Sequence, residues 1–129
     1  MPDSRTRPIR IGCAADFWGD TETAAAQLLS GGDLDYLVFD YLAEITMSIM
    51  AGARLRDPNR GYAHDFITRV LPGTLKLALE RKVKIVTNAG GVNPFACRDA
   101  LRALSQQLGV TPRIAVVTGD DVTPLKDEL

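Results

Sequence analysis

Acids and amides in this sequence gather immediately behind four short apolar runs. Asp16 and Asp20 follow the first, Asp40 and Glu44 the second, Asn88 the third, and Asp120 and Asp121 the fourth. Carboxylates brought together in this way support two chemistries. They can hold a hard divalent cation such as Mg²⁺ through oxygen, with Asp40, Glu44 and Asp120 as candidate ligands. Alternatively, they can divide into a general acid and a general base where burial separates their pKa values. Either use needs more than one acid. Asp40 and Glu44 are the sharpest pair, because residues four apart share a helix face if the helix begins at once. If it begins at Tyr41, Asp40 is its N-cap and the pairing lapses. Each acid taken singly also has a plain structural use, capping the helix that follows a strand.

The second chemistry-bearing stretch is Lys84-Ile85-Val86-Thr87-Asn88-Ala89-Gly90-Gly91-Val92-Asn93-Pro94. An apolar run stops at paired glycines and a helix signal follows. Gly90 and Gly91 permit positive φ or close backbone approach, Asn93 can cap the first free amides, and Pro94 suits a first helical turn. Asn88, Gly90, Gly91 and Asn93 are therefore candidates for holding a carbonyl, carboxylate or phosphate at a helix start, although a tight strand-to-helix turn uses the same residues without a ligand. Asp16, Trp18, Asp20 and Asp121 join them as candidate binding residues. Trp18, beside Phe17, either packs over a ligand or plugs the sheet edge. His64 is the only imidazole, so zinc sites built on several histidines are excluded, and a single acid–base role or a capping role beside Asp65 remains.

The elements that must position these residues alternate. Strands are predicted at Ile9–Ala14, Asp35–Asp40, Val83–Thr87 and Arg113–Thr118. Helices are predicted over Ala24–Leu29 with Asp20 as cap, over Tyr41–Leu55, over His64–Arg81 with a kink or split at Pro72-Gly73, and over Pro94–Leu108 ended by Gly109. In the second helix Leu42, Ile45 and Ile49, joined by Met50 and Ala53, fall at three- and four-residue spacing. The unbroken apolar centre of the second strand suggests a parallel strand covered on both faces. The expectation is one α/β domain over residues 1–129, with a mostly parallel, Rossmann-like sheet of about four strands flanked by helices and ligands at its carboxyl edge.

Composition narrows the partners. A chain of 129 residues with formal net charge −1 can bury a real core and offers no basic face to nucleic acid. Cys13 and Cys97 lack metal-type spacing and read as reduced thiols, which suits the cytoplasm. Met1–Arg10 is polar and charged without an apolar signal core, and no apolar run approaches membrane-spanning length, so no membrane partner is expected. The terminal Lys126-Asp127-Glu128-Leu129 matches a retrieval signal but has no entry signal to accompany it. Gly-x-Gly-x-x-Gly, the P-loop pattern and a serine nucleophile elbow are all missing.

Four stretches in this order carry a resemblance: Phe17-Trp18-Gly19-Asp20; Leu34-Asp35-Tyr36-Leu37-Val38-Phe39-Asp40-Tyr41-Leu42-Ala43-Glu44-Ile45-Thr46-Met47; Val86-Thr87-Asn88-Ala89-Gly90-Gly91-Val92-Asn93-Pro94; and Gly119-Asp120-Asp121. Their order and spacing resemble the acyclic terpene utilisation protein A family over nearly the whole chain. Such proteins are encoded beside enzymes that degrade citronellol and geraniol through acyl-CoA intermediates, while their own reaction is poorly defined. Members are several times longer, so the resemblance implies an N-terminal part, a short relative or one subunit. The family has Ser- and Gly-rich residues before Phe-Trp-Gly-Asp, where this chain has Cys13-Ala14-Ala15-Asp16.

Two functions of different class follow. One is an enzyme, or part of one, acting on a branched or terpenoid acyl substrate carried as a CoA thioester, in hydration, lyase or hydrolytic chemistry. Asp40, Glu44 and Asp120 would then be acid–base or cation-holding groups. The other is a non-catalytic binding or assembly subunit. A four-stranded sheet without closing strands exposes edges and apolar faces, so a homo-oligomer or a complex with a larger subunit is expected.

Overall fold

Three parallel strands and the helices around them position most of the candidate residues, while Asp120 and Asp121 lie in the irregular segment after α4 (Pro94–Leu108). The computed structural model describes residues 7–129, and the Met1–Thr6 part of the polar N-terminal lead lies outside the described residues. In chain order come β1 (Ile11–Ala15), α1 (Ala24–Gly31), β2 (Tyr36–Phe39) and α2 (Glu44–Arg56). A π turn over Phe66–Val70 then passes through a 3-10 turn at Leu71–Gly73 into α3 (Leu75–Glu80). β3 (Lys84–Thr87), α4 (Pro94–Leu108) and a last 3-10 turn at Thr123–Leu125 follow. The expected split at Pro72-Gly73 is present. Pro72 sits at the start of the 3-10 turn, and the Thr74 hydroxyl bonds the Val70 carbonyl at 2.8 Å. No helix among the described residues is long and apolar enough to cross a membrane.

The sheet order is β1-β2-β3, with Cys13 opposite Val38 and Val38 opposite Val86. This differs from the sequence expectation in two ways. First, Arg113–Thr118 is not a strand. Among the described residues none of the backbone groups from Thr111 to Asp121 bonds another backbone group. Second, the sheet is not wound on both faces. Right-handed crossovers that always step in the same direction carry their connections to the same face, and a doubly wound sheet needs the order to reverse. Here it does not reverse.

Side-chain burial agrees with one-sided packing. Leu37 and Phe39 are 0% and 2% exposed, with Ala14 beside them on β1, whereas Ile11 and Val86 on the other face are 64% and 52% exposed. Lys84 lies over the Tyr36 ring, 5.4 Å from its centroid, on that open face. The core is built on the covered face. Phe39, Tyr41 and Phe66 stack or meet edge to face with centroids 5.1–5.9 Å apart, and Leu29, Met50 and Leu71 close around them. Each such side chain contributes about 1.5–3 kcal/mol by leaving water.

Helix boundaries move two candidate residues. α2 starts at Glu44 rather than Tyr41, because the Thr46 hydroxyl takes the Ala43 amide at 2.6 Å and fixes the first turn there. Met50 and Thr46 face the core, while Ile45 is 70% exposed, so the inward stripe differs from the one its spacing suggests. α1 starts at Ala24, where Thr21 accepts from the Thr23 amide at 3.2 Å. Asp20 is therefore not its cap.

Candidate functional site

The carboxyl ends of β1, β2 and β3 bring several of the expected residues into one hydrogen-bonded group. Asn88, just past β3, uses both ends of its amide. Its oxygen accepts from the Tyr41 amide at 2.8 Å, and its nitrogen donates to Asp40 Oδ1 at 2.7 Å. The same Asp40 oxygen accepts from the Leu42 amide at 3.3 Å. Asp20 accepts from the Asp16 amide at 3.1 Å, which folds the loop after β1 back on itself. Cys13 lies beside this group, its thiol 3.3 Å from Asp16 Oδ1. The bond to Asp16 pushes the thiol pKa up, with burial and the charges of Asp16 and Asp40 adding to it. Asp16, Asp40 and Asn88 are thus neighbours, and all three are open to solvent. At this part of the edge the Asp40 carboxylate is both exposed and held in place by Asn88.

Asp40 and Glu44 are not a helical pair. Asp40 precedes α2 by several residues, so the shared-face argument does not apply, and Glu44 stands exposed in the first turn. Asp120 is exposed and belongs to neither group. Asp121 accepts from the Thr123 amide at 3.0 Å and lies 3.8 Å from Arg54. Thr123 holds its carboxyl below the usual carboxylate range, with Arg54 adding a smaller push. Among the described residues, no three His, Cys, Asp or Glu side chains gather closely enough to hold a metal ion.

The glycine loop is shaped by packing. Gly91 has φ of +54°, and a Cβ there would lie 2.4 Å from Met50 Sδ and 2.7 Å from the Gly61 carbonyl oxygen. At Gly90 a Cβ would meet Pro94 at 2.9 Å. Asn93 accepts from the Ala96 amide at 3.4 Å as the cap of α4, and its nitrogen donates to the carbonyls of Pro58 at 2.8 Å and Arg60 at 2.7 Å. Arg54 bonds the Val92 carbonyl. The Val92 amide and the Asn93 side-chain nitrogen thus tie the loop to the 58–62 turn, and its Val92 carbonyl accepts from Arg54 of α2.

Trp18 is half-buried, and its indole N–H is held by Asp65, whereas Phe17 is 55% exposed. The indole forms one wall of a cleft of about 130 Å³ with Ile49, Met50 and Ala53 of α2 and with Arg60, Gly61, Tyr62 and His64. The Tyr62 and His64 rings are tilted with centroids 5.3 Å apart. Burial raises the Tyr62 hydroxyl pKa, and Arg60 opposes the rise. Cys97, buried on α4, is pushed up to about 11 by burial. Arg54, Asp65 and the Arg60–Tyr62 turn are site residues that the sequence reading did not select. Their only local signal is a polar loop between two helices, and their partners are distant in sequence.

The model of the acyclic terpene utilisation family protein AtuA matches residues 9–129. Comparison with curated proteins and with solved structures returned no match.

Proposed function

The chain belongs to the acyclic terpene utilisation family AtuA, and on that premise we propose that it acts on the acyl end of a branched, terpenoid substrate carried as a CoA thioester. The observation that carries this reading is the Asn88 amide bound to the Asp40 carboxylate at 2.7 Å, which fixes an exposed acid where the strand ends meet. Asn88 also holds the Tyr41 amide, so it acts as a positioning residue for Asp40. Asp40 serves as general base in a hydration, lyase or hydrolytic step, and Glu44, exposed at the start of α2, is the second acid. We take the setting to be the cytoplasm, where the free thiols of Cys13 and Cys97 remain reduced.

Turnover of branched acyl-CoA thioesters, followed by mass spectrometry, tests the assignment. Asp40→Asn should lower turnover by at least about 100-fold, the range of a lost general base, with an unchanged circular dichroism spectrum. Normal turnover in that variant removes Asp40 from the chemistry. A second reading, a non-catalytic assembly subunit, draws on the open sheet face and on the unpaired segment Arg113–Thr118. Under it, Asp40→Asn weakens co-purification with a larger subunit while that subunit keeps its own catalysis.

A further inference from the structure

We propose that the cleft between Trp18, α2 and the 60–64 turn binds the branched hydrocarbon end of a short aliphatic acid or acyl group of five to six carbons. It deepens the reading above, on which it rests for the ligand being an acyl group. Size sets the first limit. The cleft holds about 130 Å³, and an engineered apolar cavity of about 150 Å³ takes benzene, a six-carbon ligand. One branched five-carbon unit fits, and a longer chain must leave through the mouth.

Chemistry sets the second limit. Ile49, Met50 and Ala53 offer aliphatic surface from one side of α2, and Trp18 and Tyr62 offer ring surface. Ile49 is 50% exposed, an apolar side chain left half in contact with water at this spot. Trp18 is fixed by its bond to Asp65, so the wall is preorganised. The polar side-chain groups of the lining come from Arg60, His64, the Tyr62 hydroxyl and the Trp18 N–H, which Asp65 already holds. Arg60 is exposed, and its ion pair with Asp57 runs through Nε at 3.7 Å, a long contact that an arriving carboxylate or thioester oxygen can replace. An apolar floor with a single cation beside it suits an amphipathic anion and does not suit a sugar or a nucleotide. Ala53 is the small residue that leaves room for the branch.

Trp18 is the only tryptophan in the chain, so its fluorescence reports this cleft alone. Titration of the full chain with 3-methylbutanoate should give a saturable change with Kd on the order of 1 mM. The linear isomer pentanoate should bind about tenfold more weakly, the usual worth of one misplaced methyl group. Ala53→Leu, which fills the cleft, should raise Kd at least about tenfold. Arg60→Gln alters an exposed side chain and leaves folding intact. It should weaken the acid and leave 3-methylbutan-1-ol unaffected. Absence of a saturable response, or an Ala53→Leu response equal to wild type in a folded protein, overturns the proposal. So does equal loss of acid and alcohol in Arg60→Gln. Acyl-CoA turnover measured on the same proteins separates this inference from the reading it rests on. Turnover that needs Asp40 but survives Ala53→Leu unchanged overturns the cleft alone. A response that Ala53→Leu removes, without any Asp40-dependent turnover, supports the cleft and overturns the strand-end chemistry.

Discussion

At Gly91, side-chain volume and backbone conformation act together. Positive φ costs an L-residue about 1–2 kcal/mol, and here a methyl group would also meet a buried sulfur and a carbonyl oxygen well inside contact distance. Gly91→Ala should therefore destabilise the fold by about 2–4 kcal/mol in chemical denaturation. Gly73 supplies the control. No heavy atom lies within 4 Å of its hypothetical Cβ, and its φ is not positive. Gly73→Ala should leave stability unchanged or raise it by up to about 1 kcal/mol through the unfolded chain. Equal losses at the two positions would mean that helix and turn propensity, rather than the contact with Met50 and Gly61, governs Gly91.

The entry to α4 carries a comparable argument for an element. Asn93 joins two pieces of chain by three bonds, because its oxygen caps the helix while its nitrogen reaches the carbonyls of Pro58 and Arg60 in one turn. Aspartate caps a helix as well as asparagine does. It has no donor for the two carbonyls, and it sets a negative charge against both. Asn93→Asp should cost about 2–3 kcal/mol although the cap is preserved, and Asn93→Ser should cost less. Thermal unfolding of the two variants decides this, and an Asp variant as stable as wild type would reduce Asn93 to a simple cap. The same joint ties the turn that leads into the cleft to the start of α4, so stability of this element and the shape of the cleft change together.

For the whole molecule the governing feature is a sheet covered on one face. Ile11 and Val86 lie on the open side, Leu37 on the covered side. Replacing Ile11 and Val86 with threonine should change unfolding free energy by no more than about 0.5 kcal/mol per site and should lower binding of a hydrophobic dye. Leu37→Ala should cost about 2–5 kcal/mol. If the paired threonine variant loses as much stability as Leu37→Ala, the face is covered in solution. Size-exclusion chromatography of the same proteins would then report a smaller particle than wild type.

Several features are written locally in the sequence. The βα alternation, the break at Pro72-Gly73, the Asn93-Pro94 start and the Gly109 end of α4 each follow from φ preferences, a missing amide proton or apolar spacing within a few residues. The position of the acids behind the strands is local in the same way. What the tertiary structure decided depends on partners far along the chain. Asn88 reaches Asp40 and Tyr41, and Trp18 reaches Asp65, across 47 or 48 residues, which no local pattern encodes. Ile114-Ala115-Val116-Val117 is as apolar as any strand here. Yet among the described residues its backbone groups pair with neither the free side of β1 nor that of β3. The order β1-β2-β3 likewise fixes one covered face, because handed crossovers that never reverse direction cannot cover the other.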